Sequence, residues 1–255
     1  MKLNKIKMAV LGALMVPVMP AVADEHASEF SYSANVGLYT DYIFRGYTQT
    51  KGQPALQGGF DLEHTSGLYI GTWASNVEWT TQGGYMDSNS IEVDVYAGWA
   101  GSLGPVDVDL GVLQFLYPGD NAAGAAEADA TELYVGVAKD FGIASASIYY
   151  YNVVSTDAWG FADADGSEYW TLDVDVPVGD TPITASFHVG NQEFEGSGNE
   201  PYDYTDWKVN LDYALSDTYS AGIYYTDTDM TEDIWTVQGE FLGQDSVGAY
   251  LSASF

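Results

Sequence analysis

The chain has 255 residues, enough for one large β domain or two domains of ordinary size. It carries 37 acidic residues against 7 Lys and Arg, a formal net charge of −30, and it has no cysteine. This balance excludes a nucleic-acid-binding protein, which needs clustered basic residues, and the lack of cysteine excludes a disulfide framework and thiol catalysis. Disorder is excluded as well, because 46% of the residues are hydrophobic and 20 are tyrosine.

The first predicted element is a signal peptide at residues 1–23. A basic start, MKLNKIK, is followed by the apolar stretch MAVLGALMVPVM and by Ala21 and Ala23, which form a small-residue cleavage site. The alternative is a membrane-anchor helix, but the apolar stretch is short and is broken by prolines. We therefore expect the protein to be exported.

Segments with alternating apolar and polar residues follow one another to the end of the chain, and no segment has the period of a helix. IEVDVYAGWA (91–100) is typical, with Ile91, Val93 and Val95 on one face and Glu92 and Asp94 on the other. Twelve strands are predicted, at 30–40, 54–64, 67–77, 91–100, 105–117, 131–140, 143–153, 167–178, 182–191, 203–214, 217–227 and 246–255.

The links between these segments alternate strictly in length. Tight turns follow residues 64, 101, 140, 178 and 214, and long acidic links span 41–53, 78–90, 118–130, 154–166, 192–202 and 228–245. A transmembrane antiparallel barrel has short periplasmic turns, long extracellular loops and an even number of strands. The predicted fold class is therefore all-β, an up-and-down transmembrane β-barrel at 30–255 in the bacterial outer membrane, preceded by a periplasmic tail at 24–29.

Within most strands one face is almost wholly apolar and the other carries the acidic residues. A lipid-facing carboxylate is unfavourable, so we expect the apolar face to meet lipid and the acidic face to line a wet lumen. Strand direction places Glu92, Asp94, Glu132 and Asp206 towards the outside of the cell. The lumen residues nearer the periplasm are expected to be Asp61, Glu63, Asp107, Asp109, Asp173, Asp175 and Asp212, with Lys208 as an inward base.

Rings of carboxylates favour cations in pores. The alternative is a plugged interior in which the same acids are solvated or hydrogen-bonded, and a twelve-stranded barrel is intermediate between filled and open ones. Aromatic residues near strand ends are expected to form the two interfacial girdles. They are Tyr39, Tyr42, Trp79, Trp99, Tyr117, Tyr150, Tyr151, Trp170, Trp207, Tyr213 and Tyr225.

Arg45 is a candidate site residue, because it is one of few basic residues and lies where the first strand meets its long loop. It could contact a solute at a constriction. Alternatively, it could form a structural ion pair with a neighbouring carboxylate such as Asp41 or Glu92.

The last segment, SVGAYLSASF, resembles the closing strand of bacterial outer-membrane barrels, which usually end in an aromatic residue. This resemblance implies that Leu251, Ala253 and Phe255 form a signal for the barrel-assembly machinery. A closer likeness lies in SANVGLYTDYIFRGYTQTKGQPALQGGFDLEH, GLYIGTWASNVEW, IEVDVYAGWAG and LGVLQFLYPG. Most of the mature chain resembles the TorF-type porin family of proteobacteria, which implies an outer-membrane barrel with a porin-like role.

The acidic loop segments DADGSE (163–168) and DTDMTED (227–233) offer oxygen ligands, but neither is a full calcium-binding loop. We interpret them as solvated loops, with divalent bridging to lipopolysaccharide as the alternative. The three histidines have no nucleophile motif beside them, so we predict no enzyme, no cofactor and no resident metal. The predicted function is passive diffusion of small polar, cationic solutes, and the alternative is a closed barrel that binds or supports through its loops.

Overall fold

The computed structural model describes residues 29–255, so the predicted signal peptide and residues 24–28 of the predicted tail lie outside the described residues. Twelve antiparallel strands form one closed barrel, which confirms the predicted fold class. They are β1 (Phe30–Tyr39), β2 (Ala55–His64), β3 (Leu68–Asn76), β4 (Ile91–Leu103), β5 (Val106–Leu116), β6 (Ala130–Asp140), β7 (Ser145–Val153), β8 (Glu168–Pro177), β9 (Ile183–Glu193), β10 (Tyr204–Ala214), β11 (Tyr219–Thr228) and β12 (Ser246–Ser254).

Each strand pairs with its neighbour in the sequence, and β12 pairs with β1 to close the barrel. The last residue takes part in the closure, because the Phe255 amide donates to the Ala34 carbonyl at 2.9 Å and its carbonyl accepts from the Ala34 amide at 3.2 Å. Leu251 and Phe255 project outward and are exposed, whereas Ala253 is shielded between Val36 and Tyr219. The final strand therefore leaves no free edge at this seam.

The outer face of the barrel is apolar over its whole circumference. Exposed side chains on it include Leu38, Phe60, Val95, Leu133, Ile148, Leu172, Phe187, Leu211 and Ile223. So large an exposed apolar surface is unfavourable in water and suits a lipid environment. Among residues 29–255, no helix is long and apolar enough to cross a membrane.

Tyrosines on the inner face lie flat over glycines. A Cβ atom added to Gly136 would overlap the ring of Tyr149, and one added to Gly111 would overlap Tyr134. The same relation joins Tyr69 with Gly98, Tyr96 with Gly71, Tyr169 with Gly190, Tyr224 with Gly248 and Tyr250 with Gly222. Glycine leaves the space that each ring occupies, so the rings cover the wall that the glycines leave bare.

The two ends of the barrel differ. Tight turns at 65–67, 104–105, 141–144, 178–182 and 215–218 join the strands at one end, and long loops join them at the other, as predicted. The long loops contain three short helical segments, α1 (Trp79–Gln82), a 3₁₀ turn (Glu200–Tyr202) and α2 (Glu232–Trp235). Each is a single turn, too short to show a helical period in the sequence.

The assignment of aromatic residues to the girdles was wrong for five of them. Tyr39 lies on the inner face of β1, where its ring centroid is 5.1 Å from that of Tyr250. Tyr42, Trp79, Tyr117 and Tyr151 are buried inside the long-loop half of the barrel. In contrast, Trp170, Trp207 and Tyr213 are exposed on the outer face, as expected. Proximity to a strand end therefore does not distinguish a residue that faces lipid from one that packs under a loop.

Candidate functional site: the lumen and the hairpin within it

The candidate site lies inside the long-loop half of the barrel, where four carboxylates project from the wall. Glu92 and Asp94 come from β4, Glu132 from β6 and Asp206 from β10, and each side chain belongs to a residue no more than 2% exposed. Strand alternation directs all four inward, as the sequence predicted. Buried carboxylates are unfavourable unless they are paired or hydrogen-bonded, so their partners decide what the site can do.

The first long loop supplies those partners by folding into the lumen as a small hairpin. Its strands are Ile43–Phe44 and Tyr47–Thr48, joined by Arg45 and Gly46. Both turn residues have positive φ, 45° for Arg45 and 87° for Gly46, which is the pattern of a two-residue type I′ turn. Arg45 is therefore carried at the tip of the hairpin into the barrel.

The Arg45 guanidinium is held by the barrel wall. Its Nη2 donates to Glu132 Oε2 and Oε1 at 2.7 and 2.8 Å, and its Nη1 donates to Gln192 Oε1 at 2.8 Å. The Arg45 Cζ atom lies 4.2 Å from the ring centroid of Tyr169 and 5.2 Å from that of Tyr151. Burial would lower the pKa of Arg45, but the Glu132 carboxylate raises it, so Arg45 stays charged.

This geometry corrects the partner predicted for Arg45. The predicted structural ion pair is present, but it joins Arg45 to Glu132 and not to Asp41 or Glu92. Asp41 instead accepts hydrogen bonds from Thr48 and Thr50 at 2.7 and 2.8 Å and so fixes the base of the hairpin. The hairpin carries Arg45 past these nearer acids to the far wall.

Glu92 is also occupied by the same loop. The Tyr42 hydroxyl donates to Glu92 Oε1 at 2.6 Å. Burial raises the pKa of Asp41, and the hydrogen bonds that this carboxylate accepts from Thr48 and Thr50 partly offset the rise. Loop 41–53 is therefore bound to the lumen wall through Tyr42 and Arg45.

A second cluster centres on His188 of β9. Its Nδ1 lies 2.7 Å from Asp173 Oδ1, its Nε2 lies 3.1 Å from Asp206 Oδ1, and the Tyr169 hydroxyl donates to Asp206 Oδ2 at 2.9 Å. Lys208 is the β10 residue opposite His188 in the strand register. Strand alternation accounts for the inward position of His188, but no sequence pattern joins it to two carboxylates on the neighbouring strands β8 and β10.

Tyrosine hydroxyls bind the acids nearer the tight turns. Tyr96 donates to Asp61 at 2.6 Å, and Asp109 accepts from Tyr69 at 2.7 Å and from Tyr149 at 3.2 Å. Asp212 accepts from Asn210, Asp107 is exposed at the tight-turn end beside Ser102, and Glu63 and Asp175 are partly buried. Hydrogen bonds from tyrosine stabilise these carboxylates without neutralising their charge.

Some carboxylate oxygens remain without partners. Asp94 Oδ1 and Asp175 Oδ1 are buried and make no hydrogen bond within residues 29–255. Among residues 29–255, Arg45, His188 and Lys208 together offer three positive charges at most to the inward acids. Inward carboxylates therefore outnumber inward basic side chains among residues 29–255, and a mobile cation or a proton could balance the difference.

The last long loop covers the hairpin from outside. Trp235 of α2 packs on Tyr47 with ring centroids 5.3 Å apart and on Tyr204 at 5.4 Å. In the same loop, Gln238 Nε2 donates to the Gln82 carbonyl at 2.9 Å. Residues 234–242 contain the end of α2 and a short hairpin of Thr236–Val237 with Glu240–Phe241.

The acidic loop segments do not assemble a metal site in the part of the chain that the structure describes. No group of three His, Cys, Asp or Glu side chains among residues 29–255 is arranged to hold a metal ion. A shallow pocket of about 310 Å³ at the long-loop end is lined by Glu127, Asp129 and Asp157. Backbone amides donate to the two aspartates of this pocket, which accounts for their orientation.

Comparison with known families gives one match. The model of the family described as "Bacterial protein of unknown function (Gcw_chp)" matches residues 23–255. No functionally curated protein matches the chain.

Solved structures resemble the barrel at low sequence identity. An outer-membrane channel of Pseudomonas putida F1 is 10% identical, with a TM-score of 0.51 over 93% of this chain and 98% of that one. A membrane protein from a study of in-meso crystallisation is 9% identical, with a TM-score of 0.50 over 88% of this chain and 83% of that one. These likenesses establish the fold of outer-membrane β-barrels for the chain.

Proposed function

We propose that this chain, which belongs to the Gcw_chp family of bacterial proteins of unknown function, is an outer-membrane channel for passive diffusion of small polar, preferably cationic solutes. The fold is that of outer-membrane channels, and the apolar outer face suits lipid. The resemblance of its N-terminal half to TorF-type porins supports the same role. Outer-membrane lipid, lipopolysaccharide and the barrel-assembly machinery are its proposed partners.

The excess of carboxylates over cations on the lumen wall carries the proposal. Asp61, Asp94, Asp109, Asp175 and Asp212 face inward with no basic side chain bonded to them within residues 29–255. A low-dielectric wall concentrates the field of these carboxylates within the lumen. That field attracts cations and repels anions, so selection would depend on charge and on the width left beside the hairpin.

A second candidate function is favoured by the contents of the barrel. Loop 41–53 fills part of the long-loop half, and Trp235 packs over it. A barrel kept closed in this way would act through its acidic loops as a surface-binding or structural protein. The two candidates differ in whether ions pass.

The test is planar-bilayer recording of the refolded mature protein, residues 24–255, across a KCl gradient. The channel proposal predicts discrete current steps and a reversal potential displaced towards the K⁺ equilibrium value. Anion preference would contradict the role of the lumen acids. A folded, inserted barrel that passes no current would contradict the channel proposal and support the closed barrel.

A further inference from the structure

The residues around the Arg45 guanidinium form a complete recognition site for such a group. A carboxylate receives two hydrogen bonds from one nitrogen of the guanidinium, an amide oxygen receives a third, and an aromatic ring lies against its plane. Planar guanidinium groups prefer this combination of carboxylate and stacked ring, whereas compact hydrated ammonium and potassium ions do not gain the same contacts. We call Glu132, Gln192, Tyr151 and Tyr169 the guanidinium cage.

The cage belongs to the barrel and not to the hairpin. Its four members lie on β6, β9, β7 and β8, and each residue is at most 3% exposed. Hydrogen bonds within the wall also orient it, because Gln192 Nε2 donates to the Glu168 carbonyl at 3.1 Å and Tyr169 donates to Asp206. The wall therefore presents these groups whether or not the hairpin delivers Arg45 to them.

Arg45 occupies the cage in a backbone conformation that is unfavourable for arginine. A φ of 45° is disfavoured for residues with a side chain, and glycine would adopt it more readily. The contacts of the Arg45 side chain, and not the conformation of the turn, therefore account for arginine at this position.

We propose that the guanidinium cage is a recognition site for solutes that carry a guanidinium group, and that Arg45 occupies it as a tethered substitute when no solute is bound. This inference rests on the proposed channel function only for the route by which a solute reaches the cage. Binding of such a solute would release the tip of the hairpin from the wall and widen the lumen.

The test uses Arg45→Gly, which removes the guanidinium while placing glycine where φ is positive, so the turn is retained. Thermal unfolding of the refolded mature protein is followed with guanidinium chloride at low millimolar concentrations, where it does not denature. KCl at equal ionic strength controls for screening. The expected result is a saturable rise in the melting temperature of Arg45→Gly with guanidinium and none with KCl.

Two further proteins separate the cage from general salt effects. The wild-type protein, in which Arg45 competes for the cage, should need a higher guanidinium concentration than Arg45→Gly for the same rise. The double variant Arg45→Gly/Glu132→Gln should bind guanidinium at least about tenfold more weakly than Arg45→Gly. An equal rise in all three proteins, or none in folded Arg45→Gly, would overturn the inference.

A second measurement applies if Arg45→Gly does not refold. Methylguanidinium added to the wild-type protein should then compete with Arg45 and increase trypsin cleavage after this residue, whereas equal KCl should not. Unchanged cleavage would contradict the inference. Neither readout measures a current, so a negative result here does not contradict the channel proposal. Conversely, a barrel that passes no ions can still be tested for guanidinium binding in the same way.

Discussion

Individual residues show how unequal the ion pairs of this protein are. Arg45 and Glu132 are almost fully buried, whereas the Lys51–Glu78 pair spans 3.9 Å with both side chains partly exposed. Removing one partner of a buried pair leaves an uncompensated charge, but surface pairs contribute little. The contribution of a charge here depends on its burial and not on its presence in a pair.

Glu132→Gln should therefore lower the free energy of unfolding by about 3 kcal/mol, because it leaves the Arg45 guanidinium buried without its carboxylate. Glu78→Gln is the matched control and should change it by less than about 1 kcal/mol. Urea unfolding followed by tryptophan fluorescence measures both. Equal small effects would mean that the Arg45 pair does not hold the loop.

The tyrosine–glycine contacts give a second prediction at this scale. Gly136→Ala should lower the free energy of unfolding by about 1–3 kcal/mol, because the alanine methyl group would overlap the Tyr149 ring. In a Tyr149→Leu background the same change should cost less, and a double-mutant cycle measures the difference. Additive costs would show that the ring and the glycine do not depend on each other.

Among the elements, the hairpin of loop 41–53 has a tip with no spare room. A Cβ atom on Gly46 would lie 2.5 Å from Asp206 Cβ and 2.6 Å from Thr228 Cγ2. Gly52 in the same loop also has positive φ, 65°, yet a Cβ atom there would meet nothing within 4 Å. Both glycines have positive φ, but only Gly46 is enclosed. Comparing alanine substitutions at the two positions therefore distinguishes steric overlap in the lumen from backbone strain.

Gly46→Ala should displace the hairpin from the wall and expose Arg45 to trypsin, while Gly52→Ala should not. Cleavage after Arg45 is identified by the mass of the fragment that begins at residue 46. Residues 24–255 contain four Lys and Arg residues, so the tryptic fragments of this part of the chain are few. Equal protection of Arg45 in both variants would contradict the tight fit of Gly46.

The strands were predictable to within a few residues, because a lipid-facing surface and a polar lumen impose a strict period of two. The segment IEVDVYAGWA has this period, and the observed β4 differs from the predicted strand 91–100 only in continuing to Leu103. The inward course of loop 41–53 was not predicted. It was grouped with the acidic long links although it carries one acidic and two basic residues, and Arg45–Gly46 between Ile43–Phe44 and Tyr47–Thr48 was the sign of a tight hairpin.

The partners within the candidate site were the least predictable part. Arg45 and Glu132 are separated by 87 positions, so no local pattern joins them. Parity along each strand placed Glu132 and His188 on the inner face, but the stagger between strands decides which inward side chains meet. Strand parity therefore predicted which side chains face the lumen. Which of them contact one another could be read only from the register of the strands in three dimensions.

The whole molecule is a closed twelve-stranded barrel with an apolar outer face. Val135, at the middle of β6, and Val154, just beyond β7, are almost equally exposed, at 44% and 46%. In lipid vesicles, Val135→Lys should lower the free energy of unfolding by about 2–4 kcal/mol, because residue 135 would lie near the bilayer midplane. Val154→Lys should lower it by at most about 1 kcal/mol. Urea unfolding from vesicles measures both, and equal costs would contradict the membrane placement of the strands.

The central claim is that ions pass through an acidic lumen that the hairpin of loop 41–53 narrows. Single-channel recording of Gly46→Ala beside Gly52→Ala, across one KCl gradient, tests it most directly. The account predicts a larger conductance for Gly46→Ala, a wild-type conductance for Gly52→Ala and cation preference in both. Equal conductances in the two variants, or a preference for chloride, would contradict it.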